Sequence, residues 1–348
     1  MTQAPTAEPG QQAPGVDGMP GRGSLLRAET HRFVSRRFIR WLLLLALVAY
    51  ALLMTFVGLT QFAKTDASRL ADAQRRADVA VAETRGFYEQ CLEDPNRPAA
   101  VPVEEFCGPP PEESLAATDF LEPPPFLLAE QLDEGALALG VVSAMLAFLV
   151  GATYVGAEWS SKSMVALLFW EPRRLRVMGV KLGVTAAAAV VLAVVVQVLW
   201  WVTAELLAAT RGARGRFPAD SWPDLFGQQA RTVLFAVLAA LLGFGIANLV
   251  RNTGAALGVG FVYFAVVETA VRLFRPRWQE WLLTDNAAAL LLPDGGTIYV
   301  YEDMAPGEDV QQATEIVMSN VHGGLVLGIV TAVVVVLGVA LFKRRDLH

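Results

Sequence analysis

The chain has 348 residues, 54% of them hydrophobic and only 18% charged, with a net charge of −6 and a mean hydropathy of +0.43. These values exclude a soluble globule of ordinary surface and point to a polytopic membrane protein, for which the helical runs below predict an all-α fold; no nucleic-acid partner is expected.

Residues 1–24 are rich in Pro, Gly and Gln and lack an apolar period, so they read as a disordered tail. Over residues 25–40, Leu26, Phe33, Val34 and Phe38 recur at helical spacing while Arg32, Arg36 and Arg40 step by four along another face. This predicts a basic amphipathic helix at the inner membrane surface. A cleaved leader fits poorly, because no small-residue cleavage site follows the next apolar run.

Six apolar runs are readable, at Trp41 to Phe62, Ala136 to Val155, Val184 to Val202, Val233 to Val250, Ala255 to Phe274 and Val321 to Phe342. Each approaches the roughly 20 residues that cross a ~30 Å hydrocarbon core. None has an interior Asp, Lys or Arg, which would cost roughly 2.5–3.5 kcal/mol apiece at a helix centre. The fourth and fifth runs are separated only by Arg251, Asn252, Thr253 and Gly254, so a tight helical hairpin is expected.

Basic residues cluster before the first run (Arg27, Arg32, Arg36, Arg37, Arg40), between the second and third (Lys162, Arg173, Arg174, Arg176, Lys181) and after the last (Lys343, Arg344, Arg345). The positive-inside rule places all three in the cytoplasm, with both termini. Segments 63–135 and 275–320, and the shorter loop from Ala208 to Gln229, are then external. Arg211, Arg214 and Arg216 dissent, but moving them inside would move the other clusters out.

The acidic segment 63–135 opens with a helix-friendly run from Asp66 to Glu93 and holds both cysteines, Cys91 and Cys107. Thiols in an oxidising compartment are expected to pair. A loop of that size restrains the unfolded chain by about 3 kcal/mol in the entropy model. The alternative is two separate surface thiols, and a zinc site lacks ligands. After the prolines, Phe126, Leu127, Leu128 and Leu132 read as an interfacial helix leading into the second span. Trp278, Trp281 and Leu290 to Leu292 read as interfacial as well.

Gly156 to Ser163, GAEWSSKS, nearly copies a phosphate-binding loop. That loop needs Gly before its Lys so that backbone amides close on the phosphates, and here Ser161 stands there. No preceding buried strand is expected either, which excludes ATP binding by this chain. HExxH and G-x-S-x-G patterns are absent, and His31, His322 and His348 are scattered, so catalytic and metal residues are not expected. Glu268, four residues before Arg272, reads as half of a helix-surface ion pair in preference to a substrate contact. Gln197 and Asn248 read as inter-helix ties, and Gly254 with Gly258 as a weak dimer-face signal. In the elbow of residues 156–181, Ser160, Ser161 and Ser163 can cap a short helix whose Met164, Leu167 and Leu168 face the membrane or neighbouring helices, and Pro172 ends it.

Gly156-Ala-Glu-Trp-Ser160, the short apolar helix, Trp170-Glu-Pro-Arg-Arg174 and Lys181-Leu182 resemble the elbow of permease subunits of type-2 ABC exporters, the actinobacterial kind in particular. Phe342-Lys-Arg-Arg-Asp346 is similar to that family's ending, and the six-helix topology is similar throughout. The chain differs at Lys162, where the family more often has Gly before a hydroxyl residue.

The resemblance implies a multi-pass plasma-membrane permease domain over residues 41–348 without its own ATPase site, working as a dimer with a second permease copy or homologue. ATP and magnesium would sit on a separate cytoplasmic ATP-binding subunit. Glu158, Trp159, Phe169, Trp170, Glu171, Arg173 and Arg174 would form the coupling contact, and the helix over residues 25–40 a second one. Two other classes fit the sequence: an anchor or assembly protein whose external acidic segment binds a partner, and a carrier driven by an ion gradient.

Overall fold

In the computed structural model, which describes residues 22–95, 102–111, 115–215, 217, 221–301 and 313–344, every apolar run lies on a helix that begins before it, and only the first run continues past its helix, which ends at Thr60. A short helix α1 (Arg22–Ser35) precedes α2 (Arg37–Thr60). Next come α3 (Ala67–Leu92), the one-turn α4 (Val103–Cys107), and α5 (Leu128–Ser160). The elbow helix α6 (Ser163–Trp170) leads into α7 (Arg174–Arg211), and α8 (Ser221–Val250) turns into α9 (Thr253–Phe274). The chain closes with α10 (Leu283–Leu291) and α11 (Asn320–Arg344). Helices α2, α5, α7, α8, α9 and α11 are each long and apolar enough to cross a membrane. Leu45, Phe56, Phe261 and Val336 on their flanks are more than 60% exposed, a surface that only lipid or partner protein can cover.

The boundaries differ from the sequence reading in physically informative ways. The amphipathic segment is not one helix to residue 40: Arg36 adopts extended backbone (φ −67°, ψ 115°), and Arg37 to Arg40 belong to the first turn of α2. Residues 1–21 of the expected tail lie outside the described residues, as do Arg216, residues 302–312 and Arg345 to His348. Phe126 and Leu127 do not begin an interfacial helix. They pair in parallel with Gly212 and Ala213 as two-residue strands β1 and β2, and Phe126, Leu128 and Leu132 are buried under Trp200. Strands β3 (Gly296–Tyr301) and β4 (Ala313–Met318) form an antiparallel pair before α11. Cys91 and Cys107 form a disulfide with Cα atoms 5.8 Å apart, tying the end of α3 to α4.

Three packing zones follow one another along the bundle. At the elbow end, Ile39, Tyr154, Met164, Met178, Phe244 and Phe342 pack together. In the middle the contact is made by alanines, Ala144 and Ala147 of α5, Ala189 and Ala193 of α7, and Ala236 and Ala240 of α8. At the far end Trp200 and Leu207 fill the space between α5 and α7, with the Trp200 indole N–H donating to the Leu132 carbonyl at 2.8 Å. Small residues in the middle let backbones touch, as expected where lipid removes the ordinary hydrophobic drive between helices. A Cβ on Gly151 would stand 2.1 Å from the Ala240 carbonyl oxygen, and one on Gly243 would stand 2.4 Å from that of Phe148.

At the far end, α9 carries a π-helical turn, Tyr263–Glu268, that aims two polar side chains at the start of α10. The Tyr263 hydroxyl accepts from the Leu283 amide at 3.2 Å, and Glu268 accepts from the Thr284 amide at 3.1 Å and from its hydroxyl. Glu268 is therefore a buried helix cap, although its pairing with Arg272 exists at 3.8 Å. Arg272 binds Asp285 more closely, at 2.9 Å.

Because α5 and α8 meet backbone to backbone, Gly151→Leu or Gly243→Leu should lower stability by at least about 2 kcal/mol through overpacking. Thermal unfolding in detergent measures it, with Gly258→Leu as the contrasting variant, since nothing lies within 4 Å of a Cβ at Gly258.

Candidate functional site

Glu29, Phe33 and Arg36 recur along one face of α1 and its end, and that face is laid against α5 and α7. Glu29 is fully buried there. Its Oε2 accepts from Tyr154 Oη of α5 and from Lys181 Nζ of α7, both at 2.6 Å, while Arg32 binds Oε1 at 2.9 Å. Lys181, also fully buried, touches Glu158 Oε2 at 2.7 Å as an ion pair without hydrogen-bond alignment. Arg36 closes the circuit on Glu158 Oε1 at 2.7 Å. The Tyr154 ring is the hub: Phe33 meets it edge-on, and the Arg36 and Lys181 cations lie 5.2 and 4.9 Å from its centroid. Glu29, Glu158 and Lys181 are thus buried together, with Arg36 at the edge of the cluster and Arg32 reaching Glu29 from the exposed side of α1.

This arrangement explains the break at Arg36. Extended backbone there swings the guanidinium inward to Glu158 and lets α2 leave in its own direction. Burial pushes the Glu29 carboxyl up, but the Lys181 charge, the hydrogen bonds from Lys181 and Tyr154 and the nearby Arg32 outweigh it and hold it below the ordinary range.

Trp159, next to Glu158, ties the same end of α5 to two other helices. Its indole N–H donates to Asn248 Oδ1 at 3.0 Å, its ring meets Phe342 edge-on at 5.8 Å, and Arg251 stacks over it at 4.7 Å. Arg174 donates to the carbonyls of Phe342 and Lys343 and so caps the end of α11.

The elbow helix stands on this base. Ser160, Ser161 and Ser163 do not cap α6: Ser160 bonds back to Gly156, and Ser161 and Ser163 turn to the Glu158 carbonyl at 3.4 Å, serving the end of α5. The residue at the cap position is Lys162, whose φ of 57° is left-handed. That region costs a residue with a Cβ about 1–2 kcal/mol and favours Gly. Met164 and Leu167 are buried against the bundle, and Phe169 is 85% exposed. Pro172 follows the helix end, and Glu171 in extended backbone pairs with Arg176 at 3.3 Å and accepts from the Arg173 amide.

The expected contact residues therefore divide. Phe169 and Arg173 are presented outward, Glu171 is held at the start of α7, and Trp159, Arg174 and Glu158 face into the bundle. The side chain of Trp170 lies outside the described residues. Lys181, grouped by sequence with the surface cations of the elbow, is fully buried because Glu29 and Glu158 converge on it. Among the described residues, no group of three or more His, Cys, Asp or Glu side chains is placed to hold a metal. The residues that sequence reasoning missed are Glu29 and Tyr154. The available signal was an acid alone among six arginines in residues 22–40, on the face that also carries Phe33.

No protein-family model and no curated protein matches the chain.

Removing Lys181 alone leaves two buried carboxylates short of a cation, so Lys181→Met should cost about 3–5 kcal/mol, whereas Lys181→Met with Glu29→Gln and Glu158→Gln together should recover much of it. Thermal unfolding of the three proteins measures this. Because folding depresses the Glu29 pKa, its contribution is complete at neutral pH. It should be lost as pH falls below the unfolded value of about 4.3 and on through the lower folded value. The Glu29→Gln protein should lack that acid-labile component.

Lys162→Gly should relieve the left-handed strain and steady the elbow by about 0.5–1 kcal/mol. Slower hydrogen exchange over residues 163–170 is the expected readout.

Proposed function

We propose that this chain is the membrane-spanning permease subunit of an ATP-driven exporter, and that α6 is the part that receives force from a separate cytoplasmic ATP-binding subunit. The observation that carries the reading is the elbow itself. It is a two-turn helix between two long spans, anchored by Met164 and Leu167, braced from behind by buried ion pairs, and presenting Phe169 almost bare. An exposed aromatic on a rigid, protruding helix is the usual anchor of a protein contact. The left-handed backbone of Lys162 supports the same reading, because it falls at the one elbow position where the resembled family more often has Gly.

On this reading the elbow end, with α1 and the last turn of α11, is cytoplasmic, and α3, α10 and the β3–β4 pair are external. A second permease copy would face α9. Gly254 and Gly258 lie uncovered there, and Phe261 and Phe264 rim a recess of ≈ 600 Å³ between α5, α8 and α10. ATP hydrolysis belongs to the partner, and this chain holds neither nucleotide nor magnesium.

The test is reconstitution with the ATPase that copurifies in detergent. Phe169→Ala and Arg173→Glu should leave folding intact and weaken docking by about 2 kcal/mol, a roughly thirtyfold loss of affinity with a matching fall in coupled ATPase activity. Lys162→Ala should leave coupling nearly unchanged. Nucleotide binding by the isolated chain, abolished by Lys162→Ala, would overturn the assignment. So would reaction of a cysteine placed at Gly23, in an otherwise cysteine-free chain, with an impermeant maleimide in intact cells.

A further inference from the structure

A cavity of ≈ 310 Å³ opens between α7 and α8 toward the end of the bundle away from the elbow. Its walls are aromatic, with the indoles of Trp200, Trp201 and Trp222 and the ring of Phe226. Two amides reach into this apolar setting, Gln197 from α7 and Gln229 from α8. The Oε1 atom of each is buried with no hydrogen-bond partner. Gln197 donates its amide N–H to the Ala136 carbonyl at 3.1 Å, so the orientation that leaves its oxygen bare is fixed. Buried carbonyl oxygens without donors are costly, and two of them lining one recess describe a site that lacks a donor.

The surroundings select the charge of that donor. Indole faces attract cations. Asp133 and Asp224 adjoin the lining residues Leu132 and Leu225 in sequence. Of the nearby cations, Arg214 is already paired with Glu205 at 2.9 Å, and Arg231, which adjoins the lining residue Ala230, does not itself line the recess. The volume falls at the lower end of ligand pockets, about 300–1,000 Å³, which suits one or two fused rings.

We propose that this recess binds an amphipathic organic ammonium, its N–H groups donating to the oxygens of Gln197 and Gln229 and its apolar body lying on the indoles. The site lies within one chain and is independent of the elbow, so it stands or falls apart from the transport reading.

Three naphthalene probes separate the elements of this recognition, titrated by calorimetry into the full chain in discs of zwitterionic lipid, with empty discs as the blank. They are 2-(1-naphthyl)ethylammonium, its N,N,N-trimethyl derivative, which keeps the charge without an N–H, and 1-naphthylacetate. The ammonium should bind saturably at one per chain, the trimethyl probe at least about tenfold more weakly, and the carboxylate no more than to empty discs. Gln197→Leu and Gln229→Leu should each weaken the ammonium about tenfold while leaving the trimethyl probe nearly unchanged. Trp222→Leu, at a partly exposed rim position, should weaken both cations and serves where a glutamine variant fails to fold. Carboxylate binding equal to that of the ammonium, no ammonium signal above empty discs, or full affinity in the two leucine variants would overturn the proposal.

Discussion

Lys181 is a cation with no contact with solvent, and the elbow end of this protein is organised around that fact. An unpaired buried ammonium is far too costly to keep. Two carboxylates must therefore reach it, and they come from different parts of the chain, Glu29 of α1 and Glu158 of α5. Glu158 in turn draws Arg36 inward, and Arg36 sets where α1 stops and α2 begins. One charge thus locates a peripheral helix on the bundle, fixes the break that follows it and anchors the last turns of α5 just before the elbow. Such a cluster is weak evidence for net stability, because replacing a whole buried network by apolar groups is often neutral. Its geometric effect is stronger than its energetic one: Glu29 must meet Lys181 while Arg36 meets Glu158, and few placements of α1 allow both.

The three zones of the bundle divide the work by chemistry. Ions at the elbow end fix direction, since each bond joins named atoms. Alanines in the middle allow close approach of α5, α7 and α8 and specify little else. Aromatic and leucine side chains at the far end fill space, with Trp200 also bonded to the Leu132 carbonyl. Helix α2 is held at its first turns by Ile39 and further along by the Tyr50 hydroxyl, which donates to Thr203 Oγ1 at 2.7 Å. Most of its remaining surface faces outward.

Helices were legible in the sequence wherever the code was local. Six apolar runs, the proline that ends the elbow helix, and the Asp66 start of α3, which the structure shows as an N-cap accepting from the Arg69 amide at 2.9 Å, all depend on neighbours within a few residues. The disulfide was legible because only two thiols exist and both fall in one segment. What could not be read was partnership at a distance. Lys181 and Glu29 are 152 residues apart, and a lysine close to the end of an apolar run has the same local signature whether it reaches for water or for a buried acid. The burial of Glu158 has no local signature either, since the partners that cover it, Lys181 and Arg36, lie far along the chain. The serines were misplaced by a subtler competition, since the orphan carbonyl at the end of α5 took the hydroxyls that propensity assigned to the start of α6.

The elbow's two ends differ mechanically, and the difference bears on how α6 could act on the bundle. At its start, the Ser161 and Ser163 hydroxyls bind the Glu158 carbonyl, and the Glu158 carboxylate is itself locked to Lys181 and Arg36, so a push on α6 passes directly into α5 and α1. At its end, the chain runs through extended Glu171 and Pro172, joined to α7 by the Glu171–Arg176 pair near the surface. Such pairs are weak when partly solvated. Displacement of Phe169 would then turn α6 about its stiff start, carrying α5 and α1 as one body and letting the Glu171 link take up the mismatch with α7. On the transport reading, this makes the contact between α5 and α7, alanine-lined and free of directional bonds in its middle, the place where the bundle can slide.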